Sequence, residues 1–191
     1  MEEIEVKLLN IDKAAMEAKL HAIGAKKAGE YFYRRQVFDY PDLRLDQARA
    51  WVRIRDEGER ITMGFKQRLG RDEGLGGNDA GMREIEFVIG DFQKGAEFLY
   101  QLGLANKFYQ ENRRTRYLKD GIEFDIDEWP LLPPYLEIEA KTWDDIDRAI
   151  VWLGLKREDA KLFSTTQVYA LAGINDKEYE KMTFEEVVKR M

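Results

Sequence analysis

The chain begins with alternation. In Glu3-Ile4-Glu5-Val6-Lys7, charged and aliphatic residues exchange at every step. A period of two belongs to a β-strand, whose successive side chains leave on opposite faces. Glu3, Glu5 and Lys7 therefore share one face, and Ile4 and Val6 the other. The Glu-Ile-Glu triplet returns at 84–86 and at 137–139. Further stretches alternate in the same way. Residues 50–56 set Trp51, Arg53 and Arg55 against Val52 and Ile54. Residues 60–68 set Thr62, Gly64, Lys66 and Arg68 against Ile61, Met63 and Phe65. Residues 109–118 align Gln110, Asn112, Arg114 and Arg116. Residues 121–129 align Glu123, Asp125, Asp127 and Trp129 opposite Ile122, Phe124 and Ile126. The stretch 35–41 is a weaker strand.

Each Glu-Ile-Glu strand is followed by a helical pattern with a start and a stop. Asp12 caps a first helix whose stripe is Ala15, Met16, Leu20 and Ile23, and Gly24 ends it. Asp91 caps a second with Phe92, Ala96, Leu99 and Leu102, ended by Gly103. Thr142 caps a third with Ile146, Ile150 and Leu153, ended by Gly154. Strand, capped helix and glycine stop thus recur as a module, which reads as an old internal symmetry. The tail after residue 174 reads as a short amphipathic helix. About eight strands and four helices result, mostly antiparallel by hairpin logic. The domain reading is residues 1–173 as one body, with 174–191 packed on it.

The charges are sorted by strand, which changes the picture. Acidic pairs sit on some strands and Arg/Lys rows on others, with few Ser or Thr between them. An ordinary wet sheet face mixes its polar residues. The sorting predicts an α+β fold: an eight-stranded antiparallel barrel with the helices outside and the charges lining the lumen. Eight strands leave room for one small ligand.

Composition narrows the chemistry. Charged residues make up 36% of the 191, and the net charge of −6 argues against a general partner for nucleic acid or anionic membranes. With no cysteine and one histidine, His21 on a helix, thiolate sites and histidine triads drop out. The acidic start is unlike a secretory leader, and no apolar run nears the ~18–20 residues of a membrane span. A cytoplasmic location is the expectation.

Inward carboxylates would be Glu3, Glu5, Glu84, Glu86, Asp125, Asp127, Glu137 and Glu139. Like charges ~5 Å apart repel by about 1 kcal/mol even in water, and by more at lower dielectric. Lys7, Arg53, Arg55, Lys66, Arg114 and Arg116 offset part of this. A cluster with oxygen donors only selects hard divalent ions, Mg²⁺ or Mn²⁺. The guanidinium rows match phosphate oxygens. An extended polyphosphate satisfies both walls. The plainer alternative is a set of salt bridges across an empty lumen.

At these residues the chain resembles the CYTH family, also called triphosphate tunnel metalloenzymes. The Glu3-x-Glu5-x-Lys7 motif matches the family's N-terminal signature. "FDYPDLRL", "VRIR", "FKQ", "REIEF", "NRRTRY", "FDIDEWP" and "PPYLEIEA" follow in the family's order, from Glu3 to about Tyr169. The resemblance implies an eight-stranded tunnel barrel. It implies that Glu3, Glu5, Glu139 and Glu137 hold a divalent ion, with Asp125 at or near a second. Lys7, Arg53, Arg55, Lys66, Arg114 and Arg116 would grip the triphosphate, and Glu84 and Glu86 would orient those cations or join a metal site. Glu5, Lys66, Glu84 and Asp125 are the candidate catalytic residues. The family's later basic strand commonly reads Lys-x-Arg-x-x-Tyr. Here Asn112 takes the Lys place before Arg114 and Tyr117.

The resulting expectation is metal-dependent hydrolysis of inorganic tripolyphosphate or an organic triphosphate. The alternatives are class IV adenylyl cyclase action on ATP and a non-catalytic polyphosphate or nucleotide-binding module. The partner is a small-molecule triphosphate, without nucleic acid or membrane, and the chain is a monomer or homodimer.

Overall fold

The computed structural model of the protein describes residues 4–69 and 82–190. Glu3 and the Gly-rich segment 70–81 lie outside the described residues. Ten strands follow in chain order: β1 (Ile4–Leu8), β2 (Lys26–Asp39), β3 (Ala50–Asp56), β4 (Ile61–Arg68), β5 (Met82–Ile89), β6 (Ala105–Lys119), β7 (Ile122–Glu128), β8 (Tyr135–Ala140), β9 (Tyr179–Met182) and β10 (Val187–Lys189). The helices are α1 (Lys13–Ala22), α2 (Arg44–Gln47), α3 (Phe92–Gln101), α4 (Trp143–Trp152) and α5 (Thr165–Leu171).

The strands form one sheet in the order β1-β8-β7-β6-β2-β3-β4-β5, with β9 on β6 and β10 on β9. The β1–β8, β8–β7, β7–β6, β2–β3, β3–β4, β4–β5 and β9–β10 ladders are antiparallel, and β9 runs parallel to β6. This architecture is α+β, as the alternation implies. The closed barrel is a correction. The strand order is an open path ending at β1 and β5, and no backbone ladder among the described residues joins its ends. Alternation fixes which residues share a face, but it carries no information about whether the last strand pairs with the first.

Two compact units make up the chain. One consists of the residues up to Tyr31 together with Asn112–Ile174, the other of Phe32–Glu111 together with the segment from Asn175. In the first unit the aliphatic faces of β1, β7 and β8 supply Val6, Leu8, Ile122, Phe124, Ile126, Leu136 and Ile138. These pack with Met16 and Leu20 of α1 and Ile146 and Ile150 of α4. Full burial of one such side chain stabilises by about 1.5–3 kcal/mol, so this layer sets the register of the opposite, charged face. Asp12 and Thr142 accept from the backbone N–H groups of Ala15 and Asp145, as their cap positions require. Gly24 and Gly154 leave α1 and α4 at φ +79° and +61°, where a side chain would be strained.

In the second unit α3, capped by Asp91, lays Phe92, Ala96 and Leu99 on Phe38, Ile54 and Met63. Gly95 permits the close approach: a Cβ there would stand 2.6 Å from Ile89 Cδ1. Ile85 and Phe87 of β5 stay 55% and 54% exposed. The tail also differs from the sequence reading. Residues 179–189 form the β9–β10 hairpin rather than a helix, closed by reciprocal bonds between Thr183 and Glu186. Pairing with Tyr109 and Gln110 of β6 outweighs the helical composition of that stretch.

Candidate metal and phosphate site

Register assembles the charged face of the first unit. In β1–β8, Lys7 stands opposite Glu137 and Glu5 opposite Glu139. In β8–β7, Glu137 stands opposite Asp125, Glu139 opposite Glu123, and Tyr135 opposite Asp127. In β7–β6, Asp125 stands opposite Arg116 and Asp127 opposite Arg114. One row across four strands therefore reads Lys7, Glu137, Asp125, Arg116, with cations at its ends and carboxylates in its middle.

The side chains pair accordingly. Arg114 Nε and Nη2 donate to the two oxygens of Asp127 at 2.7 and 2.5 Å, and Nη2 also reaches Glu137 Oε1 at 3.0 Å. Its Nη1 lies 2.7 Å from Asp125 Oδ2. Arg116 Nε and Nη2 donate to Asp125 at 2.8 and 2.7 Å, and Nη1 lies 2.8 Å from Glu123 Oε2. Lys7 Nζ contacts Glu5 and lies 3.0 Å from Glu137 Oε2. The Lys7 backbone is fixed independently, by reciprocal N–H to O bonds with Lys161. Asp125, Asp127, Glu137 and Lys7 are all buried.

Such burial moves the acid–base equilibria. Burial alone works against the Arg114 charge, but Asp127, Glu137 and Asp125 outweigh it and hold the guanidinium above its usual range. The hydrogen bond to Asp125 raises Arg116 likewise. Burial also pushes the Glu137 carboxyl up, yet Arg114 and Lys7 overcome this and keep it below its ordinary value. Asp127, without solvent exposure, is pushed up to about 6 by burial, against the pull of Arg114. Burial, with Asp127 and Glu137 nearby, raises the Tyr135 phenol.

Glu5, Glu137 and Glu139 each offer a carboxylate oxygen, and the three oxygens lie within 4.8 Å of one another. They come from two neighbouring strands and include no nitrogen or sulfur donor. That donor set fits a hard divalent cation of the Mg²⁺ or Mn²⁺ kind. Among the described residues it is the one acidic group with this spacing. Asp125, which the resemblance sets at or near a second metal, meets Arg114 and Arg116 with its two oxygens.

The second unit carries its own sorted face. Arg53 Nη2 reaches Glu86 Oε2 at 3.4 Å, Arg55 Nη2 lies 3.1 Å from Glu57, and Lys66 Nζ lies 2.7 Å from Glu84. Burial, and then the neighbouring Arg55, lower the Arg53 pKa against the pull of Glu86. Glu84 and Glu86 thus pair with Lys66 and Arg53. Arg35, which the sequence reading passed over, stands opposite Arg55 in the β2–β3 ladder and adds a third guanidinium to that face. Extending the alternation of 50–56 to the weaker strand would have found it. His21 is exposed on α1 with its ring edge-on to Tyr117, as a lone helical histidine suggested.

Comparison with known proteins bears on this arrangement. The model of the CYTH domain matches residues 1–152. No curated protein matches significantly. Among solved structures, PH1012 from Pyrococcus horikoshii is 22% identical at a TM-score of 0.62, covering 87% of this chain and 99% of its own. A candidate adenylate cyclase from Vibrio parahaemolyticus is 14% identical at 0.61, covering 88% and 97%. HpAC1 from Hippeastrum, a candidate adenylyl cyclase described as having a dominant triphosphatase activity, is 18% identical at 0.58, covering 91% and 97%. At these identities the structures share the fold, while the family model spans most of the chain: the protein belongs to the CYTH family.

Proposed function

We propose that the protein is a divalent-metal-dependent hydrolase of triphosphates, inorganic or organic. The observation that carries the reading is the row Lys7, Glu137, Asp125, Arg116 with Glu5 and Glu139 beside it. Carboxylates spaced for a cation and guanidiniums suited to phosphate share one face of four neighbouring strands. Phosphoryl transfer demands mostly positioning and neutralisation of charge, which such a face supplies.

Glu5, Glu137 and Glu139 would hold Mg²⁺ or Mn²⁺, which supplies charge neutralisation at phosphate oxygens and a more acidic bound water. Lys7, Arg114 and Arg116 would donate to phosphoryl oxygens. Asp125, Asp127 and Glu123 hold those guanidiniums in place beforehand. Arg53, Arg55 and Lys66 are assigned the same grip on phosphate, oriented by Glu86, Glu57 and Glu84. The dominant triphosphatase activity described for HpAC1 supports hydrolysis over cyclisation.

A second reading is adenylyl cyclase action on ATP, favoured by the names carried by the Vibrio and Hippeastrum structures. One panel tests both. Tripolyphosphate, ATP and thiamine triphosphate are each incubated with Mg²⁺ or Mn²⁺, and phosphate, pyrophosphate and cyclic AMP are measured. Metal-dependent phosphate release without cyclic AMP is the expected result. Cyclic AMP with pyrophosphate would replace it with the cyclase, and binding without product would leave a non-catalytic module.

A further inference from the structure

The three carboxylates assigned to the metal already have a cation among them. Lys7 Nζ touches Glu5 and lies 3.0 Å from Glu137 Oε2, while Glu137 Oε1 accepts from Arg114 at 3.0 Å. Each oxygen of the central ligand therefore already faces a cation. Lys7 is 3% exposed, so water does little to screen this contact. A divalent ion and an ammonium cannot share the same lone pairs. Lys7 also has an alternative: its stem is flexible, its backbone is clamped to Lys161, and an ammonium serves as a mobile point charge for phosphate.

From this geometry we infer that Lys7 is a tethered placeholder for the metal. The inference rests on the functional reading above and specifies how the site loads. Without ligand, the ammonium neutralises Glu5 and Glu137 and competes with any free divalent ion. A triphosphate arriving with its metal gives the ammonium a new anionic partner as the carboxylates exchange it for the ion. Metal and triphosphate therefore bind cooperatively, since each removes the cost that Lys7 imposes on the other. The site takes the metal–triphosphate pair in preference to the metal alone.

The test is Mn²⁺ binding without triphosphate, followed by electron paramagnetic resonance, for wild type, Lys7→Met and Arg116→Met. Arg116 carries the same charge on the same face but, among the described residues, pairs with Asp125 and Glu123. Lys7→Met is expected to bind Mn²⁺ at least about tenfold more tightly than wild type, within the range over which groups around a metal alter its affinity. Arg116→Met is expected to stay within about threefold, because it vacates no metal ligand. Should Lys7→Met fold poorly, Lys7→Gln removes the same charge with less disturbance and is expected to move in the same direction. No gain in either Lys7 variant overturns the inference, and so does an equal gain in Arg116→Met, which would mark a bulk charge effect. The functional reading fails separately, if wild type with Mn²⁺ releases no product from any triphosphate.

Discussion

The Arg53 guanidinium meets the Glu86 carboxylate across Gly64. Gly64 is the register partner of Arg53 on one side and of Glu86 on the other, so the pair spans a strand that contributes no side chain between them. A Cβ on Gly64 would stand 3.0 Å from the Ile85 carbonyl oxygen and 3.3 Å from Glu86 Cβ. Gly64→Leu is therefore expected to separate Arg53 from Glu86 and to lower stability by about 1–3 kcal/mol, the range for overpacking. The urea midpoint reads this, and an unchanged midpoint would contradict it.

Arg114 serves three buried carboxylates at once. Arg114→Met leaves Asp125, Asp127 and Glu137 without their shared cation. Removing one side of a buried ion pair costs about 3–5 kcal/mol. A melting temperature within a degree or two of wild type would show that the three carboxylates do not depend on it.

The raised pKa of Asp127 has a signed consequence. Its folded value of about 6 lies above the unfolded value near 3.9, so the folded state holds the extra proton between them. Where the native state binds more protons, stability falls as pH rises. The contribution of Asp127 is therefore fully present below about pH 4 and is lost as pH climbs through about 6. Asp127→Asn is expected to remove this slope, so that wild type and variant converge towards pH 4 relative to pH 7 when urea midpoints are compared. Parallel curves for the two proteins would sink the assignment.

Catalysis gives a fourth expectation. On the proposed reading, Glu5→Gln would remove a metal ligand and Lys66→Ala a phosphate donor. Each should reduce turnover of the preferred triphosphate by at least about 10²-fold, the loss typical of one electrostatic stabiliser. Near-normal hydrolysis in both variants would exclude these residues from the machinery.

Much of this was legible in the chain, for identifiable reasons. The period of two at Glu5, Arg53, Lys66, Asp125 and Glu137 is a local property, and the pleat converts it directly into a shared face. Asp12, Asp91 and Thr142 announced their helices because a cap is a bond between near neighbours. Helix α5 was also announced, by the Ser164-x-x-Gln167 capping box, and went unread. The pairing of Asp125 with Arg116 and Arg114 was not legible. It depends on the relative register of β6 and β7, which side-chain alternation leaves open by any even number of residues. The tail misled because β9 owes its conformation to β6, about seventy residues away in sequence, and not to its own composition.

That distant pairing bears on how the molecule is made. Neither unit is contiguous: the first draws on residues to Ile174, and the second closes with Lys181 and Met182 beside Tyr109 and Gln110. In a nascent chain the pairing of β6 with β9 has to wait until those late residues emerge. Non-local topologies of this kind are slow to form and exposed to misassociation meanwhile. Deleting residues 179–189 would thus damage biogenesis more than the modest size of the hairpin suggests.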